Sequence, residues 1–131
     1  MVIDSSALVG IILREPDAAM LEAAVYAAPV RVISAASYLE TAIVLIGRVG
    51  PAGGEILDGF VASVAGEIAA FTPSQAARAV EASLRYGKGR HPAGLNFGDC
   101  CSYALAAESG LPLLCKGADF GKTDIPLAST P

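Results

Sequence analysis

Four short apolar runs recur along the chain, MVID at residues 1–4, VRVIS at 30–34, EIAAF at 67–71 and LPLLC at 111–115, with helix-length stretches between them. Runs of this length suit strands buried on both faces, and strands alternating with helices lead to a parallel sheet joined by crossover helices. The expected fold class is therefore α/β: a three-layer α/β/α domain with a central parallel sheet. At 131 residues, with no linker, repeat or low-complexity tail, the expectation is one domain over 1–131.

Local signals place the helices. SSALVGIIL follows the first strand, and Glu15-Pro16-Asp17 opens a second helix to about Tyr26, with Pro16 in its first turn. ASYLETAIVLIG follows the second strand. Gly50 to Gly54 is a turn or helix start before an amphipathic segment near Glu55 to Val64. Thr72-Pro73 caps PSQAARAVEASLRYG, while Asn96 caps FGDCCSYALAAES and Gly110 stops it. PLAST at 126–130 reads as a fragment of a fifth strand.

Four carboxylates, Asp4, Glu40, Asp99 and Asp119, sit just after a strand-like run or just inside the helix that follows one. In a parallel α/β sheet such positions gather in the crevice beyond the strand ends. Acids collected there repel one another unless a cation holds them, and hard oxygen donors suit Mg²⁺ or Mn²⁺. Each acid also has an ordinary structural use: Asp4 as the cap of the helix at Ser5, Asp99 as the third member of a capping box from Asn96, Asp119 as a turn residue. Glu40 is harder to explain in that way. Its neighbours at helical spacing are Ala36, Ile43, Val44 and Gly47, and no other charge lies between Arg31 and Arg48. A carboxylate in such surroundings needs a compensating cation.

Charge is consistent with this placement. The net value of −4 comes from 9 basic and 13 acidic residues, and setting the four carboxylates aside leaves nine of each sign. Basic residues cluster late: Arg85, Lys88 and Arg90 in LRYGKGRHPAG, then Lys116 and Lys122. A basic, glycine-rich loop can approach phosphates closely, or can be a solvated surface loop. Hydrophobic content is 53%, yet charges such as Arg31, Glu40 and Arg48 interrupt the apolar stretches before the roughly 18 residues of a membrane span. No membrane is expected, but a partner over apolar surface is.

MVIDSSALVG lacks the basic lead of a secretion signal, and Cys100, Cys101 and Cys115 are an odd set with two adjacent, which points to reduced core thiols and a cytoplasmic protein. A zinc site would need more than these and His91, which reads as a loop residue. Gly121-Lys122-Thr123 misses the phosphate-loop spacing by one residue, and Ile125-Pro126 denies the helix that should follow.

The segments V-I-D-S-S-A-L, S-Y-L-E-T, L-N-F-G-D-C-C-S-Y-A-L-A and L-L-C-K-G-A-D-F-x-x-T-D-I resemble, in order and over nearly the whole chain, the PIN-domain ribonucleases, in particular the VapC toxins of type II toxin–antitoxin systems. The resemblance implies that Asp4, Glu40, Asp99 and Asp119 are the acidic quartet and that Ser6 supports the first aspartate. It further implies Mg²⁺ or Mn²⁺ dependence, cleavage of structured RNA such as tRNA, a homodimer, and inhibition by a VapB-type antitoxin. Arg85, Lys88, Arg90 and Lys116 are then candidates for the RNA phosphates. Leu8, Ile11, Ile12, Leu21 and Val25 are candidates for an antitoxin groove, with core packing as their competing use. Two departures stand out: Cys101 where an aromatic is common, and Lys116-Gly117 in place of a hydroxyl-bearing stretch before the last acid. A haloacid-type phosphatase would need a second acid at Ser6, which is absent; a non-catalytic PIN-type module would not need an intact quartet.

Overall fold

The computed structural model describes residues 1–130 and contains all four expected strands: β1 (Val2–Ile3), β2 (Val32–Ser34), β3 (Glu67–Ala69) and β4 (Leu113–Leu114). They form one parallel sheet in the order β3-β2-β1-β4, with Val2 opposite both Val32 and Leu113. Because side chains alternate across a strand, Val2, Val32 and Leu113 point to one face and Ile3, Ile33 and Leu114 to the other.

Helices cover both faces. α1 (Ser5–Ile12), α2 (Ala18–Ala27), α3 (Ala35–Val49) and α4 (Gly53–Ser63) close over Ile3, Ile33 and Leu114. α5 (Pro73–Tyr86) and α6 (Phe97–Ser109) close over Val2, Val32 and Leu113. The fold is thus the three-layer α/β/α sandwich with a central parallel sheet.

Boundaries moved where side chains had other partners. α2 starts at Ala18 rather than Glu15, because the Glu15 N–H donates to the Gly10 carbonyl at 2.9 Å and closes the connection after α1. PLAST contributes a single parallel bridge, Leu127 beside Leu113. After β4 the chain makes a short 3₁₀ turn, Phe120–Lys122, which buries Phe120 against the second face.

The antitoxin groove drawn from the first helices is corrected. Leu8, Ile11, Leu21 and Val25 are buried in the core and Ile12 is packed against it, since α1 is enclosed by the sheet and by α2, α3 and α4. Apolar surface is found instead on α3, where Leu39 and Ile43 are 59% and 61% exposed. Among the described residues no helix is long and apolar enough to cross a membrane.

Candidate metal centre

β1 runs directly into Asp4, whose N–H donates to the Leu114 carbonyl at 2.9 Å, so its carboxylate stands at the carboxyl edge between β1 and β4. That gap is where the strand order reverses, β2 lying on one side of β1 and β4 on the other, the usual crevice for a ligand in a parallel sheet. Asp4 is 1% exposed and accepts three hydrogen bonds, which leaves acceptor capacity on Oδ1. Oδ2 accepts from the Ser6 N–H at 2.9 Å and the Ser6 hydroxyl at 2.5 Å, and Oδ1 accepts from the Ser102 hydroxyl at 2.5 Å. The Ser37 and Ser102 hydroxyls lie 3.0 Å apart behind it. Asp4 caps α1 and stands as a buried carboxylate at the strand exit.

Glu40 projects from α3 toward the start of α6. Its Oε2 is buried and, among the described residues, has no hydrogen-bond partner. Space for the carboxylate exists because residue 98 is glycine: a methyl group there would sit within 2.7 Å of the Glu40 carboxyl carbon. Burial pushes the Glu40 carboxyl up from its usual range, the Ser5 hydroxyl opposes this, and the charge of Asp4 adds to the rise.

Asp99 forms the capping box expected of it. The Asn96 N–H donates to Asp99 Oδ2 at 2.8 Å and the Asp99 N–H to Asn96 Oδ1 at 2.9 Å. Its carboxyl is likewise raised, first by burial and then by the charges of Asp4, Glu40 and Asp119, while the bond from Asn96 lowers it. Asp99 therefore senses all three other acids. Asp119 is the most open of the four: its side chain is 61% exposed in the loop after β4, 3.4 Å from Lys122 Nζ. Among the described residues no three His, Cys, Asp or Glu side chains stand close enough together to hold a metal ion as they lie.

A buried oxygen on Glu40 with no partner among the described residues, two carboxyls raised first by burial and then by nearby acids, and an all-oxygen donor set fit a hard divalent cation. They do not fit zinc. Burial, with the charges of Asp4, Asp99 and Asp119 behind it, pushes the Cys115 thiol up to about 12, and Cys101 rises to about 11 from burial, Cys100 and Glu40. Raised thiols of this kind are poor nucleophiles near neutrality.

The basic candidates separate into two groups. Lys88 and Arg90 are exposed and, among the described residues, make no ion pair. Arg85 pairs with Asp124 at 2.9 Å and lies over the Tyr86 ring, 4.8 Å from its centre. Lys116 is committed to Glu15 and, at 3.0 Å, to Asp17, its stem crossing α1 over Gly10, where a methyl group would come within 2.8 Å of Lys116 Cδ. Its backbone N–H donates to the Ser6 hydroxyl at 3.0 Å, tying the segment after β4 to the Asp4 cap. Ser6 thus hydrogen-bonds Asp4 through both its N–H and its hydroxyl.

Three contributors escaped the sequence reading. Ser102 falls one helical turn after Asp99 and was visible as a polar residue on the buried face of α6; Ser37 and Gly98 carried no sequence signal of their function.

Comparisons with known proteins bear on the family and the fold. The PIN domain family model matches residues 1–126. Ribonuclease VapC of Mycolicibacterium smegmatis is 56% identical over 125 residues, covering 95% of this chain and 97% of the relative. Ribonuclease VapC30 of Mycobacterium tuberculosis is 53% identical over 131 residues, covering all of both chains. Among solved structures, VapC20 of Mycobacterium tuberculosis, described as a sarcin-ricin loop cleaving toxin, superposes with a TM-score of 0.80 at 17% identity, covering 99% of this chain and 98% of its own. A chain from a toxin–antitoxin complex of Klebsiella pneumoniae gives 0.70 at 18% identity over 94% and 92%.

Proposed function

The chain belongs to the PIN-domain family, as a VapC-type toxic endoribonuclease of a toxin–antitoxin system, and from that premise we propose that it hydrolyses structured RNA such as tRNA at a divalent-metal site of Asp4, Glu40, Asp99 and Asp119. Mg²⁺ or Mn²⁺ is the cation in this reading. The observation that carries it is Glu40 Oε2, buried and unpaired against Gly98. When bound, the ion lowers the pKa of a water and offsets charge on the scissile phosphate.

The residues divide the work. Ser6 and Ser102 hold both oxygens of Asp4 in one orientation, and Asn96 holds Asp99. Glu40, with its raised pKa, is suited to orient the attacking water and accept its proton. Lys88 and Arg90 neutralise flanking phosphates. Water rather than the RNA 2′-hydroxyl attacks, so the products carry a 5′-phosphate and a 3′-hydroxyl.

The partners are an RNA substrate and an antitoxin. In our reading the antitoxin is of the VapB type, and the protein is a single domain over 1–131 that works in the cytoplasm as a homodimer.

Purified protein incubated with total cellular RNA tests the reading, with Mg²⁺, Mn²⁺ or EDTA, beside Asp99→Asn. Metal-dependent cuts bearing 5′-phosphates, lost in the variant, are expected. A 2′,3′-cyclic phosphate, or full cleavage in EDTA, would overturn it.

A further inference from the structure

The acid cluster uses one side of the start of α6, and the hydrolysis as described leaves the other side without a role. Phe97, the first residue of that helix, is 82% exposed, more than any other large apolar side chain. It directly precedes Gly98, the residue that abuts Glu40, and stands two before Asp99. Single exposed apolar side chains are common on protein surfaces, but this one has hollows on both sides. One, of about 450 Å³, lies between Phe97 and α3 and includes Glu40 in its wall. The other, of about 470 Å³, lies between Phe97 and α5 and is walled by Phe71, Val80 and Leu95, with Ser83, Asn96 and Lys88 as its polar members.

These features share one chemistry. A flat apolar ring stands at the lip of an apolar hollow, a few polar groups edge that hollow, and Lys88, which makes no ion pair among the described residues, completes its wall. Asn96 Oδ1 is taken by the Asp99 N–H, which leaves the side-chain amide as a donor. Nucleobases have apolar faces and hydrogen-bonding edges and come attached to phosphates. Proteins that read single-stranded RNA hold splayed bases on aromatic rings and neutralise the adjoining backbone.

We infer that Phe97 and the hollow between it and α5 form a nucleobase subsite, in which an unpaired base flanking the scissile phosphate stacks on the Phe97 ring while Lys88 pairs with a phosphate of the same strand. The inference rests on the ribonuclease reading and adds to it a requirement for an unpaired nucleotide beside the cut. Ser83 and the Asn96 amide meet the edge of the base, which makes these two side chains the selectors among bases. The second hollow receives the strand on its way to Glu40.

The test measures binding in the cleavage-deficient Asp99→Asn background, in Mg²⁺ buffer, with fluorescent single-stranded RNA nonamers of one base each and an abasic ribose-phosphate nonamer of the same length. Phe97→Ala is expected to weaken the base-bearing nonamers about 5- to 100-fold and leave the abasic one unchanged, with Phe97→Tyr restoring affinity. Lys88→Ala should weaken all probes alike and lower the salt dependence. Equal affinity of wild-type and Phe97→Ala side chains for the base-bearing nonamers would overturn the subsite. So would equal losses on abasic and base-bearing probes, or a loss that follows only from a change of the Phe97→Ala protein from dimer to monomer in sedimentation. Failure of the hydrolytic reading looks different: wild-type protein that cleaves no RNA although base-dependent affinity still falls on Phe97→Ala.

Discussion

The Ser102 hydroxyl donates to Asp4 Oδ1 at 2.5 Å across 98 residues of sequence, and Ser37 lies 3.0 Å behind it. A carboxylate that is 1% exposed is thereby kept in a single orientation by neutral donors. Groups behind a metal ligand typically change affinity about 10- to 100-fold when removed. Ser102→Ala should weaken Mg²⁺ or Mn²⁺ binding by that order in titration calorimetry and cost about 1–2 kcal/mol in a urea melt. Ser102→Thr should recover part of both. Unchanged metal affinity would show that Asp4 needs no second donor.

Gly98→Ala separates folding from chemistry. Alanine favours helix by up to about 1 kcal/mol over glycine, so α6 gains locally. The added methyl nevertheless occupies the place of the Glu40 carboxylate, which must swing away. Cleavage should fall at least tenfold with the melting temperature within a few degrees of wild type; wild-type activity would remove Glu40 from the reaction.

Stability should depend on pH through Glu40 and Asp99. Both carboxyls are raised by burial above the ordinary carboxylate range when folded. The folded protein therefore binds more protons than the unfolded one in this window, and its stability falls as pH rises from about 4 through the raised values. Urea melts in EDTA should show this decline, Glu40→Gln should flatten it, and added Mg²⁺ should stabilise more at pH 7 than at pH 5. A metal-free stability that climbs over the same range would contradict the assignment.

The basic residues should sort by their partners. Lys88→Ala and Arg90→Ala are each expected to reduce the salt slope of RNA binding by about one unit. Lys116→Ala should leave that slope alone, because Lys116 already faces Glu15 and Asp17, and should instead lower the melting temperature slightly. A slope lost with Lys116 would mean that it abandons those acids for RNA.

The fold was legible because its signals are local. Each strand is a short apolar run closed by a cap, as at Ile3-Asp4 or Ile33-Ser34, and the Asn96-Asp99 capping box reads directly from its spacing. The acids were legible for the same reason, since strand exits mark the crevice. What stayed hidden depends on contacts between distant segments. Nothing near Ser102 announces Asp4, and Gly98 gains its meaning only when Glu40 of α3 packs against it. Lys116 looked available for phosphate until the turn after α1 brought Glu15 and Asp17 beneath it. The groove expected at Leu8 and Ile11 failed because four elements enclose α1, an arrangement that periodicity along one helix does not specify.

The central position of β1 has a consequence in time. Asp4 emerges early in synthesis, but the Leu114 carbonyl that receives its N–H and the Ser102 hydroxyl that holds its side chain come about a hundred residues later. Chains grow from the N-terminus at roughly 5–20 residues per second, so several seconds pass in which β1 has β2 beside it and a vacant edge where β4 belongs. The early chain therefore holds Asp4 and Glu40 with neither Asp99, Ser102 nor Asp119, which arrive with the late segments. A chain halted between β2 and α6 exposes the same edge and lacks all three of those side chains.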